Sequence, residues 1–132
     1  MPKMLQKMIV HYVSYEADYT LTGELHFARE HAQFNAIINQ LKAQNAYVPV
    51  AAIEFDERKP LESNLEHAYE VMQNGVVTDS WTLSPPDGLQ PLVDPIDHEG
   101  SAMGHRSMSI GDIITVGGNQ YVVAFMGFKK VA

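Results

Sequence analysis

Two apolar runs, Asp112-Ile-Ile-Thr-Val116 and Gln120-Tyr-Val-Val-Ala-Phe-Met126, flank the tight-turn sequence Gly117-Gly118-Asn119. Gly and Asn tolerate the positive φ angles that two-residue hairpin turns require, so this stretch predicts a β-hairpin. Both runs are apolar at odd and at even positions, and alternate residues of a strand point to opposite faces. The hairpin is therefore expected inside a sheet that is covered on both sides.

Three elements are predicted in the first half of the chain. Lys7–Tyr15 is rich in β-branched and aromatic residues, which predicts a strand. Apolar residues at helical spacing predict an amphipathic helix that has Thr22 as N-cap and ends near Asn45. Ala46–Phe55 predicts a second strand. Within it, Pro49 has no N–H to donate, which predicts an edge position or a bulge.

A second amphipathic helix is predicted after Pro60. Either Pro60 is its first residue, or Ser63-Asn-Leu-Glu66 forms a capping box and the helix begins later. Asn74-Gly75 is a stop signal. The following segment, Val76–Leu83, contains the single tryptophan, Trp81, and predicts a short strand.

Residues 84–105 are rich in Pro, Gly and acidic residues, which predicts a long irregular loop. Such a loop inside a compact domain is usually functional or mobile. A chain of 132 residues fits one domain and contains no domain-separating linker, so residues 1–132 are expected to form one domain. The order of elements predicts an α+β fold, in which two helices pack on one face of a mixed or antiparallel sheet of four or five strands.

Composition excludes several classes of protein. Apolar residues make up 45% of the chain, enough for a real core, and the absence of cysteine excludes disulfides and thiolate sites. No apolar run reaches the roughly 18 residues of a membrane helix. The basic start of the chain is not followed by the apolar segment of a signal peptide. The sequence therefore predicts a cytoplasmic protein that does not contact a membrane.

The stretch between Pro60 and His105 contains no Lys or Arg, although it contains many carboxylates. A negative block disfavours contact with phosphate backbones, so direct nucleic-acid binding is not expected. It suits a basic protein surface, and the alternative is a solvated face that aids solubility. The predicted partner-binding residues are Glu62, Glu66, Glu70, Asp79, Trp81, Asp87, Asp94, Asp97, Glu99 and Arg106.

Catalytic and metal-binding patterns are weak. His98 and His105, together with nearby loop carboxylates, are the best metal candidates, but a site needs three or four converging ligands. The groups of a nucleophilic site are present as Ser107 or Ser109, His105 and Asp112. The Gly-x-Ser-x-Gly turn that presents such a serine is absent from the sequence. The prediction is a non-catalytic protein without a cofactor, and a small metal-dependent or hydrolytic enzyme is the alternative.

Two further interpretations concern Arg106 and the oligomeric state. The guanidinium of Arg106 either holds the carboxylate or phosphate of a partner, or pairs with Asp112 of its own chain. A structural homo-oligomer that pairs through an exposed strand edge near Pro49 is the second alternative for the function of the protein.

The sequence Arg106-Ser-Met-Ser-Ile-Gly-Asp112 resembles the signature of YodL-like domains, small modules of bacterial mobile elements, plasmids and phages. Leu65–Asn74, followed by Trp81, is similar to the lead-in of that family, and the long Pro-rich segment after Trp81 departs from its usual short link. The resemblance covers about residues 61–131. It implies an accessory protein of a mobile element and no particular reaction. The matching residues are Arg106, Ser107, Ser109, Gly111, Asp112, Ile113, Tyr121, Gly127 and Phe128.

Overall fold

The structure of the protein is a computed structural model that describes residues 5–14, 24, 31–124 and 127–131. Two helices and eight strands lie in this part of the chain. They are β1 Leu5–Val13, α1 His31–Ala43, β2 Tyr47–Asp56, α2 Leu61–Val71, β3 Leu89–Pro91, β4 Ile96–His98, β5 Ser101–Met103, β6 Ile113–Val116, β7 Asn119–Val123 and β8 Phe128–Val131.

Six strands form one antiparallel sheet in the order β3-β2-β1-β6-β7-β8, and β4 pairs with β5 in a separate hairpin. The predicted α+β class, with two helices and a C-terminal hairpin, is confirmed. The main sheet is larger than the predicted four or five strands because the short strands β3 and β8 extend its two edges.

The β6–β7 hairpin is formed as predicted. Val116 pairs with Asn119 across the turn, and Gly117 has the positive φ of +61° that the turn needs. Strand β6 also pairs with β1, and β7 with β8, so both strands are interior and their two apolar faces are buried. Phe125 and Met126, predicted to continue the second strand, lie outside the described residues.

The two helices cover opposite faces of the sheet, so the prediction of a single helical face is wrong. Ile114 and Val123 belong to the core under α2, whereas Ile113 and Val122 belong to the core under α1. Consecutive strand residues point to opposite faces, and these neighbours are apolar in both strands. Each face therefore needs a layer of its own to exclude water.

The expected irregularity at Pro49 is a β-bulge. Val10 pairs with Ala51 and His11 with Pro49, so Val50 is the extra residue. The predicted strand Lys7–Tyr15 corresponds to β1, and the described part of the first helix is helical as expected. Tyr15 and the proposed N-cap, Thr22, lie outside the described residues.

Helix α2 begins at Leu61, directly after Pro60, so Pro60 flanks the helix and is not its first residue. The carbonyl of Pro60 accepts a hydrogen bond from the N–H of Asn64 at 3.2 Å. The capping box at Ser63 is therefore not used. The helix ends at Val71 with Met72 as its C-cap, three residues before the predicted stop Asn74-Gly75, and Gly75, with a φ of +84°, lies in the turn that follows.

The two segments after α2, residues 76–83 and residues 84–105, each differ from the prediction made for them. Residues 76–83 form turns and not a strand, because local bonds such as Ser84 N–H to the Ser80 carbonyl at 2.8 Å satisfy the backbone. Residues 84–105, predicted to be irregular, contain the short strands β3, β4 and β5. Strand β3 forms because Leu89–Pro91 pairs with Ala51–Ile53 of β2.

Candidate functional site

The entry to the C-terminal hairpin is organised by a buried ion pair. Arg106 donates from both terminal nitrogens to Asp112, at 2.7 and 2.9 Å, and the Asp112 side chain is 1% exposed. The backbone N–H groups of Val13 and Ser109 donate to the same carboxylate, at 3.0 and 2.8 Å. Burial raises the pKa of Asp112, and the guanidinium of Arg106 opposes that rise. Of the two interpretations of Arg106, the structure supports pairing within the chain.

Trp81 is fully buried, so its predicted role as a partner-binding residue is wrong. Its ring meets the ring of Tyr12 edge to face, with centroids 5.8 Å apart, and its Nε1–H donates to the carbonyl of Arg106 at 2.8 Å. The Tyr12 hydroxyl donates to the same carbonyl at 3.0 Å. The tryptophan therefore belongs to the core and not to the acidic surface.

Asn74 connects the end of α2 to the two segments that follow it. Its side-chain oxygen accepts from the N–H of Trp81 at 3.1 Å, and its side-chain amide donates to the carbonyl of His105 at 2.9 Å. Its own N–H donates to Ser107 Oγ at 2.9 Å. The residues that carry the family resemblance thus join helix, tryptophan and hairpin, which is a structural role.

The groups proposed for a nucleophilic site are used elsewhere. Ser107 Oγ accepts from Asn74, and Asp112 is enclosed by Arg106 and two backbone N–H groups. His105 Nε2 lies 2.8 Å from the backbone oxygen of Asp94. The Ser107 hydroxyl, the Asp112 carboxylate and His105 Nε2 therefore each contact other groups of the chain.

The loop histidines do not converge on a metal site. His98 is exposed in β4, and His105 contacts a backbone oxygen and the Trp81 ring. Within the described ranges, no group of three or more His, Asp or Glu side chains is placed to hold a metal ion.

The predicted acidic residues do lie on the surface. All eight carboxylates between residues 60 and 105 are exposed, and none of them forms an ion pair with another described residue. Glu62, Glu66 and Glu70 follow one another at single-turn spacing along α2, whose Leu65 and Ala68 are buried against the sheet. We call this set of exposed carboxylates the acidic face; its members are Glu62, Glu66, Glu70, Asp79, Asp87, Asp94, Asp97 and Glu99.

Exposed apolar side chains accompany the acidic face. Ile96 and Met103 are both exposed and pair across the β4–β5 hairpin, so their side chains share one face of it. Gly104 follows Met103 in the chain, and Leu83 lies beside Gly104. Sequence reasoning missed this patch. The large apolar residues within a segment rich in Pro, Gly and acidic residues could have indicated it. In the described chain, the large exposed apolar residues are Val48, Leu61, Val76, Val77, Leu83, Leu92, Ile96 and Met103.

Comparison with known proteins adds no family to these observations. No family model, curated protein or solved structure matches the chain. Among the described residues, no helix is long and apolar enough to cross a membrane.

A groove of about 180 Å³ lies on the α1 side, beside His11, Lys42 and Tyr47. The Tyr47 hydroxyl donates to the carbonyl of Gly111 at 2.6 Å, and Lys42 Nζ donates to Gln120 at 2.7 Å. Burial raises the pKa of Tyr47 and lowers that of His11 below 6.5. His11 Nε2 lies 3.1 Å from Thr115 Oγ1. These groups are committed to contacts within the chain.

His11 gives a test of the structure through pH. Because its pKa is lower in the folded state, the unfolded state binds its proton more readily, and stability falls as pH falls through 6.5. We expect His11→Gln to reduce the loss in free energy of unfolding between about pH 7 and pH 5, measured by urea denaturation. The matched variant His98→Gln, at an exposed site, controls for the loss of one histidine. Equal slopes in both variants would contradict the burial of His11.

Proposed function

We propose that the protein is a non-catalytic accessory protein that binds a basic surface of a partner protein through the acidic face. One observation carries the proposal. The stretch without any Lys or Arg also holds all the large exposed apolar residues of the described chain except Val48. Exposed carboxylates alone are explained by solubility. Exposed apolar side chains oppose solubility, and where they lie together, as Ile96 and Met103 do across the β4–β5 hairpin, they mark an interaction surface.

The chemistry of the surface defines the partner. Carboxylates without ion pairs attract Lys and Arg over long range and set the orientation of an approaching protein. The patch around Leu83, Ile96 and Met103 offers apolar contact area once the two surfaces meet. A partner that presents basic residues around a few apolar ones complements both properties.

The resemblance to YodL-like domains supports placing this accessory role in a bacterial mobile element. The residues behind that resemblance, Arg106 and Asp112 among them, hold the acidic face in position through their contacts with β1 and Trp81. On this proposal, the residues of the family signature stabilise the fold, and the exposed residues around them determine which partner binds.

The proposal predicts an affinity that depends on salt and on the helix carboxylates. The partner is first isolated from the native host and purified. We expect Glu62→Lys/Glu66→Lys/Glu70→Lys to weaken its binding by at least about tenfold at low salt, because three attractive charges become repulsive. Isothermal titration calorimetry at low and high salt measures both the loss of affinity in the triple variant and the dependence of the affinity on salt.

A matched control uses one charge reversal at a time. Glu24→Lys changes an exposed acid outside the acidic face by the same charge as Glu66→Lys. Only Glu66→Lys should weaken binding clearly. An affinity that is independent of salt and unchanged in the triple variant would refute the proposed function.

A further inference from the structure

A groove of about 400 Å³ lies between α2 and the turns that follow it, within the acidic face. It brings together residues from three separate parts of the chain, which the sequence alone did not connect. Its lining includes His67, Glu70, Val71, Val77, Pro86 and Asp87.

Two carboxylates of the acidic face border this groove. Glu70 comes from the last turn of α2 and Asp87 from the turn before β3, and both are exposed. No Lys or Arg lines the groove, and neither carboxylate forms an ion pair with a described residue. The electrostatic potential of the groove is therefore negative.

The other walls are apolar. Val71 and Pro86 are buried, whereas Val77 is 47% exposed beside them. An exposed valine at a groove wall loses contact with water when a ligand covers it, which favours a ligand with an aliphatic part. The groove thus combines an apolar wall with two anionic groups.

We propose that this groove binds one cationic side chain, Lys or Arg, of the basic partner, an inference that rests on the proposed function. Such side chains carry a charged group on an aliphatic stem, and they bury the stem while the charged group stays at the surface. The stem lies against Val71 and Val77, and the cationic group lies between Glu70 and Asp87. Charge complementarity selects this occupant, because an anionic or purely apolar side chain would leave both carboxylates without a partner.

The test uses Nα-acetyl-arginine amide and Nα-acetyl-lysine amide as separate probes, with Nα-acetyl-citrulline amide as the neutral analogue of the arginine probe. Each is titrated into the full chain, and amide chemical shifts are followed by NMR. We expect at least one cationic probe to shift the amides of Glu70, Val77 and Asp87, whereas the citrulline probe leaves them unchanged. The difference between the arginine and lysine probes shows which charged group the groove prefers. No localised shift with either cation would overturn the inference.

Matched variants separate a groove from general attraction to negative charge. Glu70→Gln/Asp87→Asn should weaken binding of the cationic probe by about tenfold or more, whereas Glu62→Gln/Glu99→Gln, with the same change of charge, should retain most of it. Val77→Ser, which keeps the charge, should weaken binding by a few fold. Equal losses in the two double variants would refute the groove. All these side chains are exposed, and the amide spectrum verifies that each variant is folded.

The purified partner distinguishes failure of the groove from failure of the proposed function. If Glu62→Lys/Glu66→Lys weakens partner binding while Glu70→Gln/Asp87→Asn does not, the groove inference fails and the proposed function stands. If neither variant affects partner binding, both fail. If both weaken it and the cationic probes bind in the groove, both are supported.

Discussion

Asp112→Ala is expected to lower the free energy of unfolding by about 3–5 kcal/mol, the usual cost of removing one partner from a buried ion pair. The substitution leaves the Arg106 guanidinium without its counter-charge and the N–H groups of Val13 and Ser109 without an acceptor. Since small domains have total stabilities of about 5–15 kcal/mol, the variant should be only marginally folded. Urea denaturation followed by circular dichroism measures the change.

The exposed ion pair between Arg58 and Asp56 is the matched control for that experiment. Its N–O distance of 2.9 Å is similar, but the Arg58 side chain is 69% exposed. Water compensates for the loss of such a pair, so Asp56→Ala should cost far less than Asp112→Ala. Similar losses in the two variants would show that burial of Asp112 does not govern its contribution.

Trp81→Ala should destabilise the protein by a comparable amount, about 3–5 kcal/mol, because it removes the largest fully buried side chain and leaves a cavity. It also removes the edge-to-face contact with Tyr12 and the hydrogen bond to the Arg106 carbonyl. Thermal and urea denaturation, both followed by circular dichroism, are suitable measurements, since the variant has no tryptophan fluorescence.

Trp81→Phe separates packing from hydrogen bonding at the same position. It keeps an aromatic ring and removes the Nε1–H donor, while the Arg106 carbonyl keeps its bond from the Tyr12 hydroxyl. The loss should be about 1–2 kcal/mol, smaller than for alanine. Partner affinity should be unchanged in the phenylalanine variant, because the side chain is not at the surface. A stable Trp81→Ala protein, or a Trp81→Phe protein with weakened partner binding, would contradict the buried position.

The β6–β7 hairpin was predictable because its information is local. The turn Gly117-Gly118 and the paired residues Val116 and Asn119 lie within a few positions of one another. The exposed helix carboxylates were predictable for a similar reason, since charge and helical spacing alone place them outside the core. The Arg106–Asp112 pair, six residues apart, was among the alternatives that the sequence offered.

Features that depend on distant contacts were not predictable in the same way. Trp81 is buried by Tyr12 and by the Arg106 carbonyl, and nothing within the acidic segment indicates either contact. Strand β3 has only three residues and forms because β2 offers a partner, so its Pro-rich sequence does not reveal it. Cover on both faces of β6 and β7 was predictable from their apolar residues at odd and even positions, but the helix that covers each face is set by contacts between distant parts of the chain.

The hydrogen bonds of Asn74 affect how much conformational entropy the protein loses when a partner binds. This residue forms three hydrogen bonds, to the backbone of Trp81, the backbone of His105 and the side-chain hydroxyl of Ser107, so the end of α2 and the segments around it keep their relative positions before any partner arrives. Binding to a prearranged surface loses little conformational entropy. The β4–β5 hairpin is different, because all six of its strand residues are exposed and a two-stranded hairpin is marginal by itself. A partner that covers both regions would therefore lose more conformational entropy at the hairpin than at the end of α2.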